Sequence, residues 1–85
     1  MNERKASDIL LSLTSAYLHV WKVSDDVICV NYDGADIKDG PVLIHGFGRG
    51  GTFEGACHDY LEQIRGKTLV FNACSEKRRE ITVLG

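Results

Sequence analysis

Gly46-Phe47-Gly48-Arg49-Gly50-Gly51-Thr52-Phe53-Glu54 leads from a glycine run into a segment of helical spacing that ends at Ile64. The run reads as a glycine-rich turn between a strand, Val42-Leu43-Ile44-His45, and a helix. Thr52 is the helix cap, because its hydroxyl can accept a bond from a first-turn amide. Phe53, Cys57, Tyr60 or Leu61, and Ile64 fall on one stripe, and Gly66 follows where a left-handed residue stops a helix. Glycines 46, 48 and 51 also match the G-x-G-x-x-G spacing, in which helix N-terminal amides cradle a phosphate. That match makes Gly48, Arg49, Gly50, Gly51 and Thr52 a candidate anion site with Arg49 as the charge partner. Eighty-five residues leave no room for a doubly wound sheet, and the strand after the helix ends in Asn72, without the acidic residue that holds a ribose. A structural turn is therefore the expected reading and an anion site the alternative.

Working towards the N-terminus, Val27-Ile28-Cys29-Val30-Asn31-Tyr32 is the clearest strand, entered through the turn residues Ser24-Asp25-Asp26. Ser7 is expected to cap a first helix, with Asp8 at the positive end of its dipole and Ile9, Leu10, Leu13, Ala16 and Tyr17 on its stripe. Beyond Leu18 the reading divides, because Val20 and Trp21 continue the helical stripe while Leu18 to Val23 is also rich in strand formers; a switch to strand near Leu18 is the favoured of the two. Asp33-Gly34 and Asp39-Gly40-Pro41 leave Ala35 to Lys38 as a short edge segment or loop. Towards the C-terminus, Thr68 to Asn72 (Leu69 and Phe71 inward) and Glu80 to Leu84 (Ile81 and Val83 inward) form a hairpin across the polar link 73–79. The order α-β-β-β-α-β-β predicts one α+β domain over 1–85, an antiparallel sheet of four to five strands packed with two helices.

A chain of this length buries roughly 60–65% of its unfolded surface, enough for one core and no deep substrate cavity. With 44% hydrophobic and 26% charged residues it sits at the globular average, so order is expected throughout. A net charge of -2 removes the broad positive field that non-specific nucleic-acid binding needs. Cys29, Cys57 and Cys74 are far apart in the sequence and read as reduced thiols. The charged start Met1-Asn2-Glu3-Arg4-Lys5 precedes a segment interrupted by Ser12, Thr14, Ser15 and His19. No leader or membrane span is expected, and the cytosol is the expected compartment.

Cys57-His58, with His19 and His45, raises the question of a metal or thiol site. Neighbouring helical residues point about 100° apart, so Cys57 and His58 cannot share an ion, and neither a metal, a cofactor nor a catalytic group is expected. Asp25, Asp26, Asp33, Asp36 and Asp39 put five carboxylates into fifteen residues of turns and their flanks, without calcium-loop spacing. They are solvated turn residues or an acidic face for a basic partner. Lys77-Arg78-Arg79 forms a basic tip on the last hairpin, flanked and weakened by Glu76 and Glu80.

The stretch Gly48 to Leu84, GRGGTFEGACHDYLEQIRGKTLVFNACSEKRREITVL, together with Asp33 to Val42, resembles a group of uncharacterised small proteins of bacteriophages and prophages of Firmicutes. The most distinctive parts are Thr52-Phe53-Glu54, Tyr60-Leu61 and Gly66-Lys67-Thr68-Leu69-Val70-Phe71. That pattern places glutamate at 55, completing a capping box with Thr52, where this chain has Gly55. The resemblance implies a phage setting and no particular biochemistry. A weaker, architectural likeness is to HicB-type antitoxins, whose strands pass through a glycine turn into a Thr-x-x-Glu-Ala helix start. The proline-glycine usual before that turn is absent here, and no appended DNA-binding segment is expected.

These readings lead to a non-enzymatic, phage-associated module that binds a host or phage protein, as an inhibitor of a defence nuclease such as an anti-CRISPR would. One alternative is a nucleic-acid-associated regulator or HicB-like antitoxin using Lys77, Arg78, Arg79 and Arg49. Another is a phosphate- or nucleotide-binding protein using the glycine turn 46–51. A homodimer is compatible with each, through an exposed edge strand or an interface anchored by Trp21 or Tyr32.

Overall fold

The computed structural model describes residues 5–14 and 16–84; the charged start at 1–4 and Ser15 lie outside the described residues. Among these are two helices, α1 (Ala6–Leu13) and α2 (Phe53–Ile64), and seven strands. The strands are β1 (Leu18–Ser24), β2 (Val27–Tyr32), β3 (Ala35–Asp39), β4 (Val42–Ile44), β5 (Gly48–Gly50), β6 (Thr68–Phe71) and β7 (Arg79–Thr82). All pairing is antiparallel, in a three-stranded sheet of order β1-β2-β5 and a four-stranded sheet of order β4-β3-β6-β7. The protein is an α+β fold, as expected, with the strands divided between two sheets and two strands more than the pattern suggested.

Both additional strands correct the sequence reading. Ala35 to Lys38 is no edge segment: β3 lies between β4 and β6, with Ala35 and Ile37 buried. Part of the expected glycine turn is β5, with Gly48 opposite Val30 and Gly50 opposite Ile28. The reason is space. A Cβ on Gly48 would lie 2.2 Å from the Ala56 carbonyl oxygen and 2.5 Å from the Tyr60 amide nitrogen. One on Gly50 would lie 2.5 Å from the Ala56 nitrogen. These glycines let the backbone of α2 lie directly against the backbone of β5.

The shared core joins Leu10 of α1, Val30 and Tyr32 of β2, Ile37 of β3, Ala56, Cys57, Tyr60, Leu61 and Ile64 of α2, and Leu69 and Phe71 of β6. Tyr32 sits at its centre, its ring edge-on to Tyr60 at 5.7 Å and its hydroxyl donating to the Leu10 carbonyl at 2.5 Å. Burial pushes the Tyr32 phenol far above its usual range. Phe53, expected on the core stripe, is 37% exposed, because the buried face of α2 begins at Ala56. The C-terminal end of α2 follows the reading: Gly66 takes φ +77, and its amide donates to the Val83 carbonyl at 2.8 Å.

α1 departs from it. The helix stops at Leu13, Tyr17 is largely exposed, and Ser7 is not the cap. The N-cap is Lys5, whose side chain makes no capping bond. Glu54, from the first turn of α2, takes that role from outside. Its carboxylate accepts from the Ser7 amide at 3.1 Å and the Ser7 hydroxyl at 2.5 Å. Those bonds hold the Glu54 carboxyl below its ordinary range.

Candidate functional site

Part of the candidate anion segment pairs within its own chain. Thr52 caps α2 as expected, its hydroxyl accepting from the Gly55 amide at 3.0 Å. The Arg49 amide, which a bound phosphate would need, donates instead to the Asp59 carboxylate at 2.9 Å. Asp59 thus places negative charge where an anion would sit, and Gly48 and Gly50 face helix backbone. The Arg49 side chain is exposed on the opposite face of the sheet, the face it shares with its register partners Cys29 and Trp21.

The acidic residues do not gather on one surface. Asp25 and Asp26 sit in the β1–β2 turn, and Asp33 follows the other end of β2, roughly 20 Å away at about 3.3 Å per residue. Asp39 is exposed at the end of β3, and Asp36, on β3, lies 3.3 Å from His45 Nδ1. At the basic tip, Arg78 pairs with Glu80 at 3.1 Å, and the Arg79 guanidinium lies 5.1 Å from the centre of the Phe71 ring. Glu80 also pairs with Lys38 at 3.5 Å. The hydrogen bond from Arg78, with Lys38 nearby, lowers the Glu80 carboxyl from its ordinary value. Two of the three expected free cations are therefore committed within the chain, and Lys77 is exposed.

Cys29 and Cys57 are buried and Cys74 is exposed. Burial, with Glu54 nearby, pushes the Cys57 thiol up to about 11. His58 points to solvent, with Glu62 at 3.8 Å. Among the described residues, no three His, Cys, Asp or Glu side chains come together as metal ligands would. Nor is any helix of the described residues long and apolar enough to cross a membrane.

What the sequence reading did not assemble is an aromatic row on the three-stranded sheet, on the face away from α2. His19 and Trp21 alternate along β1, with ring centres 4.9 Å apart, and Phe47 stands 5.8 Å beyond Trp21. Phe47 is 37% exposed, Trp21 is half-buried over this face, and His19 is exposed. The Arg49 side chain shares the face, and the Asp25-Asp26 turn closes one end of β1. Of the two rings the sequence offered as interface anchors, Trp21 lies outside the buried core cluster, whereas Tyr32 is fully buried within it. Phe47 gave no signal, because inside a glycine run it reads as a turn residue.

These features define a small α+β fold with one decorated sheet face. In comparisons with known proteins, no family model, no curated protein and no solved structure matches this chain.

Proposed function

We propose that this chain is a non-enzymatic protein-binding module whose docking face is the row His19, Trp21 and Phe47 with Arg49 beside it. The observation that carries the reading is the row itself. Aromatic rings and an arginine, gathered on one face of a sheet and partly open to water, are the side chains that dominate binding energy at protein interfaces. Asp25 and Asp26 at the end of the row favour a basic partner surface, since charge complementarity speeds encounter and fixes register. A phage-associated inhibitor that covers the basic nucleic-acid groove of a host defence nuclease fits that chemistry. Direct nucleic-acid binding is less favoured, because Arg78 and Arg79 are engaged within the chain and the net charge is negative.

The test is capture of partners from bacterial lysate with the tagged chain and with its Trp21→Ala variant. A protein held stoichiometrically by the parent, and at least about tenfold more weakly by the variant, is the expected result. Asp25→Asn with Asp26→Asn should then lower the on-rate and flatten its salt dependence. A partner held equally by all forms would refute this face as the contact.

A further inference from the structure

We infer that the free edge of β1 pairs with a second copy of this chain, antiparallel about Val20, joining two three-stranded sheets into one of six strands.

The phase of the hydrogen bonds determines which groups that edge offers. The Asp33 amide donates to the Tyr17 carbonyl at 2.8 Å, one step beyond the Leu18–Tyr32 register pair. Bonded pairs alternate along an antiparallel ladder, so residues 17, 19 and 21 turn their backbone groups to β2. Leu18, Val20 and Lys22 turn theirs outward. The rest of the sheet keeps the same phase: the amides of Tyr32 and Arg49 both point away from their ladder partners, and both are met by α2 side chains. On β1 the outward groups of residues 18, 20 and 22 have no backbone partner among the described residues.

The register follows from the strand's shape. A bulge between Lys22 and Ser24 ends the regular ladder, leaving Leu18–Lys22, a stretch symmetric about Val20. Pairing about Val20 sets Leu18 opposite Lys22 of the second copy, His19 opposite Trp21, and Val20 opposite Val20. It also brings Tyr17 to Val23. Tyr17, Val20 and Val23 are 74%, 45% and 64% exposed in the single chain, and this register covers all three. The two Lys22 positions fall four residues apart, roughly 13 Å at about 3.3 Å per residue, beyond the screening length of physiological salt. Each lysine stem can lie along Leu18 of the other copy.

The other edges suit this less well. Side chains of α2 occupy the β5 edge, β7 presents Arg79 and Glu80, and β4 is three residues long behind Pro41. A seven-residue edge with three large side chains per copy buries less than about 1,200 Å², so the dimer is reversible and concentration-dependent. In it, the two aromatic rows lie side by side on one face, with both α2 helices on the other. The pairing needs no outside partner, so it stands or falls separately from the docking reading.

The experiment is sedimentation velocity over a wide concentration range, with residue-resolved amide exchange at both ends of that range. A monomer–dimer equilibrium is expected, with protection of the Leu18, Val20 and Lys22 amides rising with concentration. The amides of His19 and Trp21, already bonded to β2, should not change. Val20→Lys sets like charges across the axis and should weaken association at least about tenfold; Val42→Lys on β4 should not. A monomer at all concentrations would overturn the inference, as would a dimer indifferent to Val20→Lys or one protected at Val42–Ile44. If Val20→Lys failed to fold, the exchange pattern of the parent chain would decide alone.

Discussion

The two edges of the three-stranded sheet carry the same kind of outward backbone group and treat it in opposite ways. At β5, the Arg49 amide donates to Asp59 and the Phe47 carbonyl accepts from Gln63 Nε2 at 2.8 Å, both side chains coming from α2. At β1, the outward backbone groups of Leu18, Val20 and Lys22 have no backbone partner among the described residues. The difference comes from Gly48 and Gly50, whose missing side chains bring α2 close enough for Asp59 and Gln63 to reach over the edge. β1, with a side chain at every position, keeps any helix at ordinary packing distance. Closing an edge from within the chain thus depends on two residues that contribute no side-chain contact at all.

The largest effect is expected from breaking that approach. Gly48→Ala forces a methyl group against helix backbone, which cannot rotate away as a side chain would. A loss of about 3 kcal/mol or more is expected in chemical denaturation, a large fraction of the ~5–15 kcal/mol typical of a domain. Gly51→Ala is the control. Its nearest neighbour would be 3.8 Å away, and its stability should stay within about 0.5 kcal/mol of the parent. Equal costs at the two positions would refute close approach to α2 as the reason for glycine at 48.

A smaller effect is expected from keeping the helix in place and removing what it places over the edge. Asp59→Ala and Gln63→Ala should each cost about 1 kcal/mol, and exchange of the Arg49 amide should quicken in the first. Gln63 Nε2 also donates to Asp59 at 3.1 Å, so the double variant should cost less than the two single costs added. With both residues replaced, the β5 edge becomes as open as that of β1, and new self-association through Gly48–Gly50 would sharpen the comparison. Strict additivity would show that the two side chains act independently.

Much of this architecture can be read locally. Val27–Tyr32 is apolar over most of its length, and Thr52 and Gly66 bracket α2 with chemistry that acts within a few residues. β3 escaped because Asp36, Lys38 and Asp39 are poor strand formers, so only its neighbours hold it in the sheet. β5 escaped because Gly-Arg-Gly ordinarily signals freedom of the backbone, and here it serves close approach. The aromatic row depends on Phe47 meeting Trp21 across 26 positions of sequence, a distance over which no periodicity speaks. The capping of α1 escaped for the same reason, since Ser7 is a plausible cap by itself and Glu54 lies 47 residues away.

That last contact extends the comparison beyond the sheet, because Glu54 covers the open amides of α1 as Asp59 covers that of Arg49. Glu54, Asp59, Tyr60 and Gln63 all meet backbone groups outside their own helix, so α2 supplies a row of stoppers for other elements. The Glu54 carboxyl is held below its ordinary value first by the Ser7 hydroxyl and then by the Ser7 amide. A folded-state value below the unfolded one contributes stability that is complete above the unfolded value and is lost as pH falls through the folded one. Melting temperature should therefore drop on acidification below the ordinary carboxylate range, and the drop should be shallower in Glu54→Gln, which carries no proton-linked charge there. The gap between parent and variant should be widest near neutrality and close towards strong acid. Because the carboxylate is partly open to water, this is the smallest of the expected effects. Parallel melting curves across the whole acid range would assign the junction between α1 and α2 to packing, with Leu10 rather than Glu54 as its anchor.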